Sequence, residues 1–361
     1  MKQLHLREKH SIIVVDAGLG ARLNETKETD VMWKALNWLQ KNLAWSIPLA
    51  MLAGLVFGAV TETSFLRSAI LPLTFLMVYP MMVTTPLQAI LKPGDGRLQV
   101  VTQGINFVLM PALGYGMGLL FFADQPMVRL ALLLTALLPT SGMTISWTGF
   151  AKGNVPAAVK MTVIGLIAGS LLAPVYLKLL LGAVVEIPVL QVFLQIALIV
   201  FLPLLLGTLT QRWLIAKHGE QKFNQQLKPR FPPFSTLGVL GIVLVSMALK
   251  SRDILAEPAL LPGLLLPLVL IYGLNFAIST LVGKTLFRRG DAIALVYGTV
   301  MRNLSIALAI AMGVFGAQGA DAALLIALAY IVQVQAAAWY VKLTDRLFGP
   351  PPGTKPANER P

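Results

Sequence analysis

Tyr297-Gly298-Thr299-Val300-Met301-Arg302-Asn303-Leu304-Ser305 lies inside an otherwise apolar run from about Asp291 to Phe315. An arginine at membrane depth is rare. It costs roughly 2.5–3.5 kcal/mol at the bilayer centre on insertion scales, and it normally faces a bundle interior or a water-filled cavity. Glycine, hydroxyl side chains and an asparagine surround it in place of an aliphatic run. The stretch therefore reads as a membrane helix broken in the middle, lining a site.

A second interruption matches the first. Leu138-Pro139-Thr140-Ser141-Gly142-Met143-Thr144 puts a proline, a glycine and three hydroxyls into the apolar run Met127–Ala151, about 160 residues earlier. Around these two, the chain of 361 residues is 56% hydrophobic and 12% charged, with a mean hydropathy of +0.75. A soluble fold could not solvate such a surface, so the class is a polytopic membrane protein. Apolar runs near the thickness of the hydrocarbon core are expected as spans at Leu43–Val60, Ala69–Leu91, Leu98–Phe122, Met127–Ala151, Val155–Leu181, Leu190–Thr210, Phe234–Leu249, Ala259–Val282, Asp291–Phe315 and Ala320–Leu343. The offset between the fourth and ninth spans recurs between the third and eighth and between the fifth and tenth. Five spans followed by five more put the second half in the opposite orientation. Paired interruptions at corresponding positions then point to an inverted repeat with a binding site at the midplane. The expected fold class is all-α: ten transmembrane helices in an inverted five-plus-five repeat, with broken helices four and nine crossing at the midplane.

Charge sets the orientation and removes several functions. The net charge of +13 comes from Lys and Arg between apolar spans, the pattern of the positive-inside rule and not of a nucleic-acid binder. With the N-terminus inside, Lys34, Lys41, Lys92, Arg97, Lys152, Arg212, Lys217, Lys222, Lys228, Arg230, Lys284, Arg288, Arg289, Lys342 and Arg346 fall on the cytoplasmic side. Arg67, Arg129, Lys178, Lys250 and Arg252 fall opposite. This threefold excess places both termini in the cytoplasm and the chain in the inner (plasma) membrane. The basic loop Arg212–Arg230 suits anionic membrane lipid. The absence of cysteine excludes disulfides, thiol catalysis and thiolate metal sites.

Glu62, Asp95, Asp124, Glu186, Asp253, Glu257, Asp291, Asp321 and Asp345 fall in loops or at span ends, and His5, His10 and His218 in the tail and a loop. Neither a proton relay nor an acid pair, triad or metal cluster can be assembled at the midplane. No enzyme activity, cofactor or metal is expected. The candidate binding residues are Arg302, Asn303, Ser305, Thr140, Ser141 and Thr144, with Ser146 and Thr299 beside them. Arg302 supplies a planar positive fork suited to a carboxylate or another oxyanion, and the broken ends supply unpaired backbone groups. Lys160, in the fifth span after the capping Asn154 and the helix-opening Pro156, is a second intramembrane cation. The first 31 residues are charged throughout, and their one apolar run, Ile12 to Val15, is too short for a signal peptide. They are expected to be a disordered tail, or an extension upstream of a start at Met32. Residues 347–361 are expected to be a second disordered tail.

Leu138-Pro139-Thr140-Ser141-Gly142-Met143-Thr144-Ile145-Ser146-Trp147-Thr148-Gly149-Phe150-Ala151-Lys152-Gly153-Asn154, together with Arg302-Asn303-Leu304-Ser305-Ile306-Ala307-Leu308-Ala309-Ile310-Ala311, resembles the bile acid:sodium symporter superfamily, and within it the arsenite-efflux permeases. The resemblance covers about Met32 to Arg346. It implies a transporter domain over 32–346, with a panel of spans 1, 2, 6 and 7 and a core of spans 3–5 and 8–10. Where arsenite permeases carry a cysteine after the proline, this chain has Thr140; where they carry a glutamate in the ninth span, it has Ser305. The symporters' sodium-binding Glu-x-x-x-Gln-Asn pattern is replaced by Gly298 and Arg302, and a guanidinium has no acceptor with which to share a site with Na⁺. The implied activity is secondary active transport of a small organic anion by alternating access without sodium coupling. Arg302 would act as a tethered cation that holds the broken ends of helix nine, and Lys160 would do the same near the other crossing. An arsenite or related oxyanion efflux permease is the first alternative, and a non-transporting membrane sensor or scaffold the second.

Overall fold

The computed structural model describes residues 32–91, 93–183, 187–256, 260–316 and 318–350, so the expected tail over 1–31 and residues 351–361 of the other lie outside the described residues. The chain forms two compact units, Met1–Asn42 and Leu43–Pro361. In the first, residues 32–41 form helix α1, and Asn42 closes it by donating from its backbone (2.9 Å) and its side-chain amide (2.8 Å) to Trp38 O.

Among its described residues the second unit is all-helical. Its elements are α2 (Leu43–Val60), α3 (Ile70–Val83), α4 (Gly96–Gly104), a π-helical turn (Ile105–Leu109), α5 (Met110–Phe121), α6 (Pro126–Leu137), α7 (Gly142–Phe150), α8 (Val155–Leu181) and α9 (Val189–Ile196). A second π-helical turn (Ala197–Phe201) leads to α10 (Leu202–His218), the short α11 (Glu220–Lys222), α12 (Pro232–Ala256), α13 (Leu260–Leu286), α14 (Arg289–Val300), α15 (Leu304–Phe315) and α16 (Gly319–Phe348). Helix α16 carries the chain past residue 346, through residues 347 and 348 of the expected C-terminal tail.

Seven of the described helical stretches are long and apolar enough to cross a membrane, or up to eight if residues 32–60 count as one span. The protein is therefore a multi-pass membrane protein. The expected ten are not recovered by that criterion, because the fourth and ninth runs are each cut in two. Their halves have 12 and 9 residues (α6, α7) and 12 and 12 (α14, α15). At 1.5 Å per residue, about 18 Å of helix cannot span a hydrocarbon core about 30 Å thick.

Proline explains the other irregularities. Each of the three π-helical turns, the third being Phe223–Leu227, ends two residues before a proline: Pro111, Pro203 or Pro229. A wider turn there accommodates the missing N–H and the ring.

Helices α2, α3, α10 and α12 pack chiefly on one another. Gly54 and Gly58 of α2 meet α12 so closely that a Cβ would lie 2.4 Å from Leu244 O and 2.2 Å from Ala248 O, the small-residue contact typical of membrane helices. Helices α6 and α14 are buried around their whole circumference from Val128 and Ala292 onward and pack against α5, α13 and α16. Arg289 closes one end of this group. Its guanidinium donates to Gly349 O (2.7 Å), Lys152 O (2.9 Å) and Asp345 Oδ1 (2.6 Å), while Asn154 Nδ2 donates to Asp291 Oδ1 at 2.7 Å.

Candidate functional site

The two helix breaks pair with each other. Pro139 and Arg302 form an isolated antiparallel bridge, in which Thr140 N donates to Met301 O (2.7 Å) and Asn303 N to Leu138 O (2.8 Å). Each break thus satisfies backbone groups that helix ends leave open. Thr140 holds its turn at φ +59, a left-handed conformation uncommon for a β-branched residue. Two glycines of α8 make room for it. A Cβ on Gly165 would meet Thr140 Oγ1 at 2.4 Å, and one on Gly169 would meet Pro139 Cδ at 2.9 Å.

The carbonyls at the end of α14 are also engaged. Asn106 Nδ2 donates to Gly298 O and Asn275 Nδ2 to Thr299 O, both at 2.9 Å. Ser279 links this pair by hydrogen bonds to Asn275 Oδ1 (3.0 Å) and Thr299 Oγ1 (2.7 Å). At the end of α6 the partner is Arg302, whose Nη1 donates to Ala136 O at 3.3 Å. The guanidinium therefore sits at the negative pole of α6, a favourable position for a cation. The sequence reading had it holding helix nine; the broken end it holds belongs to the fourth run.

Arg302 is 1% exposed. Its Nε and Nη2 have no hydrogen-bond partner among the described residues. These two N–H groups lie side by side on one edge of the guanidinium plane, the edge that receives a carboxylate in bidentate fashion. The backbone beneath is clamped by Gln333 of α16, whose Oε1 accepts from Arg302 N (2.7 Å) and whose Nε2 donates to Arg302 O (3.4 Å). Tyr272 donates to the same Oε1 at 3.0 Å.

The other expected site residues meet at the breaks, but their polar atoms are engaged within the fold. Thr140 Oγ1 donates toward Pro139 O (2.7 Å) and Thr162 O (3.3 Å). Ser141 and Thr144 form the capping box of α7, at 3.3 Å to Met143 N and 3.1 Å from Ser141 N. Asn303 caps α15 by accepting from Ile306 N at 3.3 Å. Ser305 pairs with Tyr330 Oη at 2.6 Å. Lys160 Nζ donates to Gly94 O at 2.9 Å, in the turn before α4.

Sequence reasoning missed Gln333, Tyr272, Asn106 and Asn275. Gln333 carried a signal, being an amide in the middle of an apolar run, where polar residues are costly and face inward. Asn106 belongs to a set, Gln99, Thr102, Gln103 and Asn106, whose spacing puts all four on one helix face.

The family model described as "Sodium Bile acid symporter family" matches residues 71–257. The chain belongs to the sodium bile acid symporter family. It is a membrane transporter of that family. It is 25% identical over 220 residues to the "Uncharacterized protein YbaS" of Bacillus subtilis, covering 58% of this chain and 68% of that protein. It is 25% identical over 239 residues to the "Arsenical-resistance protein Acr3" of Corynebacterium glutamicum, covering 63% of this chain and 65% of that one. Over 316 residues it is 24% identical to the "Uncharacterized transporter slr0944" of Synechocystis, covering 78% and 82%. The first two matches span about two thirds of those relatives' lengths.

Proposed function

We propose that this protein is a secondary active transporter of a small organic anion whose carboxylate docks on the free edge of Arg302. The observation that carries this reading is the unpartnered Nε–Nη2 edge of a guanidinium that is otherwise enclosed. Buried donors without partners are rare in folded proteins, and a charged pair of them is a strong recognition element for an oxyanion. Ser141, Thr144, Asn303 and Ser305 then act mainly by fixing the helix termini around the site, with α7 and α15 presenting their N-terminal ends to the anion. Thr140 shapes the turn.

The architecture we propose is the ten-span inverted repeat, with α6–α7 and α14–α15 as its broken fourth and ninth members. Their mutual bridge and the similar lengths of α6 and α14 support it. A panel of α2, α3, α10 and α12 would work against a core of the remaining long helices by alternating access, both termini facing the cytoplasm. The preference of those four helices for one another and the Arg289 clasp within the core support that division. Arg302 stands as a tethered cation, so no sodium ion is required.

A second reading, efflux of arsenite or a related oxyanion, has the arsenical-resistance names of relatives behind it. A thermal-shift screen of the purified protein against small carboxylates, arsenite and Na⁺ separates the two, because a ligand raises the unfolding midpoint of the state it binds. Stabilisation by carboxylates that disappears in Arg302→Gln supports the first reading. Stabilisation by arsenite alone would replace it with the second.

A further inference from the structure

We propose that α4 and the π-helical turn after it line a hydrated lane for anions, running from Lys160 to the helix break at Arg302. Gln99, Thr102, Gln103 and Asn106 share one face at spacings of three and four residues. Among the described residues Gln99 Oε1, Thr102 Oγ1, both amide atoms of Gln103 and Asn106 Oδ1 are buried with no hydrogen-bond partner. Buried polar atoms are almost always paired in native proteins. Five on one stripe mark a surface that meets water or a polar solute. On the same stretch of helix, Val100 and Val108 are 73% and 72% exposed and would face lipid.

The walls are defined by contacts that the stripe does make. Gln99 Nε2 donates to Ala157 O of α8 at 3.2 Å, and Asn106 Nδ2 to Gly298 O of α14 at 2.9 Å. Gly298 keeps the inner end narrow, since a Cβ there would lie 2.6 Å from Met161 Sδ and 3.2 Å from Thr102 Cγ2. From Gln99 to Asn106 the stripe climbs about 10 Å. At its outer end Lys160 holds Gly94 O, one residue before the N-cap Asp95 of α4. The inner end lies one turn of α14 before Arg302. A cation thus flanks each end. Asp95, the N-cap residue of α4, stands at the outer end with Lys160 and Arg97, two cations to one carboxylate. Gly96–Gly104 and Val155–Leu181 contain no carboxylate, and Asp291 of α14 is engaged by Asn154. Two cations joined by neutral hydrogen-bonding rungs favour an anion and disfavour a metal cation.

This inference takes only the sign of the solute's charge from the proposed function, and it is tested without a transport assay. Because the chain has no cysteine, Gln99→Cys, Gln103→Cys, Val100→Cys and Val108→Cys each introduce a single thiol. The measurement is the rate of modification in inside-out vesicles by a sulfonate-bearing and a trimethylammonium-bearing methanethiosulfonate, normalised to their rates on a free thiol. Both glutamine sites should react at least about tenfold faster than either valine site. The anionic reagent should lead the cationic one there by about tenfold or more, and Lys160→Gln should reduce that lead. Rates at Gln99→Cys and Gln103→Cys no higher than at Val100→Cys would remove the lane. A cationic reagent as fast as the anionic one would overturn its assignment to anions. Should no carboxylate stabilise the protein in the thermal-shift screen, the proposed function fails while the accessibility pattern is read independently.

Discussion

Replacing Arg302 by methionine should remove anion binding and leave the unliganded protein about as stable as the parent. Among the described residues the guanidinium keeps two buried donors unpartnered, which costs about 1–3 kcal/mol each, or about 2–6 in all. Against this stand one charge-assisted hydrogen bond to Ala136 O, about 1.5–3 kcal/mol, and the favourable position at the end of α6, about 0.3–1 kcal/mol. The ranges put the methionine variant between about 2 kcal/mol below the parent and about 4 above it, with the midpoint about 1 above. The bridge to Pro139 and the clamp by Gln333 use only the backbone of residue 302, so the break itself should persist. Binding behaves differently. Two charge-assisted bonds to a carboxylate are together worth about 3–6 kcal/mol, and at 1.4 kcal/mol per tenfold their loss weakens affinity about 10²–10⁴-fold. The assay is the unfolding midpoint of purified parent and variant with and without a series of small carboxylates. At a concentration 100 times Kd the parent should gain about 2.7 kcal/mol, and the variant about 0.4 kcal/mol or less. A variant that unfolds well below the parent, yet keeps the carboxylate-induced rise, would refute the reasoning. It would make Arg302 a structural residue.

Flux in proteoliposomes should be unchanged when Na⁺ is replaced by K⁺ or choline, and Arg302→Gln should abolish it without creating sodium dependence, since Gly298 supplies no carboxylate; flux that saturates with Na⁺ would reject the tethered cation. Complementation of an arsenite-sensitive host should be weak, because a threonine hydroxyl is a poor ligand for a thiophilic metalloid and that of Thr140 is already bonded to backbone carbonyls; strong resistance that survives Thr140→Ala would promote the efflux reading. Gln333→Leu leaves the buried N–H and C=O of Arg302 without their side-chain partner, so it should lower the unfolding midpoint by an amount corresponding to about 2–6 kcal/mol; a midpoint within 1 °C of the parent would show that the clamp is dispensable. Reporter fusions after Arg230 and Arg346 should report the cytoplasm and one after Arg252 the opposite side; a cytoplasmic signal at Arg252 would break the inverted repeat.

Much of this protein was legible in one dimension because a bilayer imposes simple rules on a chain. Apolar runs such as Val155–Leu181 appear in the structure with the expected bounds, since backbone groups in lipid must bond within their own segment. The two interruptions were visible for the same reason: proline, glycine and hydroxyls at membrane depth require special partners. The sequence also singled out Arg302, one of three buried cations among the described residues with Arg129 and Lys160. It could not say which atoms of that guanidinium are engaged, because the answer depends on Ala136, 166 residues away, being brought to it by the pairing of the two breaks. Nor could it separate hydroxyls available to a solute from those that cap helices. Ser141, Thr144 and Asn303 have the same composition signal in either role, and only the local backbone decides. Gln333 and Asn106 lie on helices that the sequence rendered as ordinary spans. Their roles follow from which helices α14 touches, and that neighbourhood is a property of three-dimensional packing that hydropathy, which records depth but not direction, does not encode.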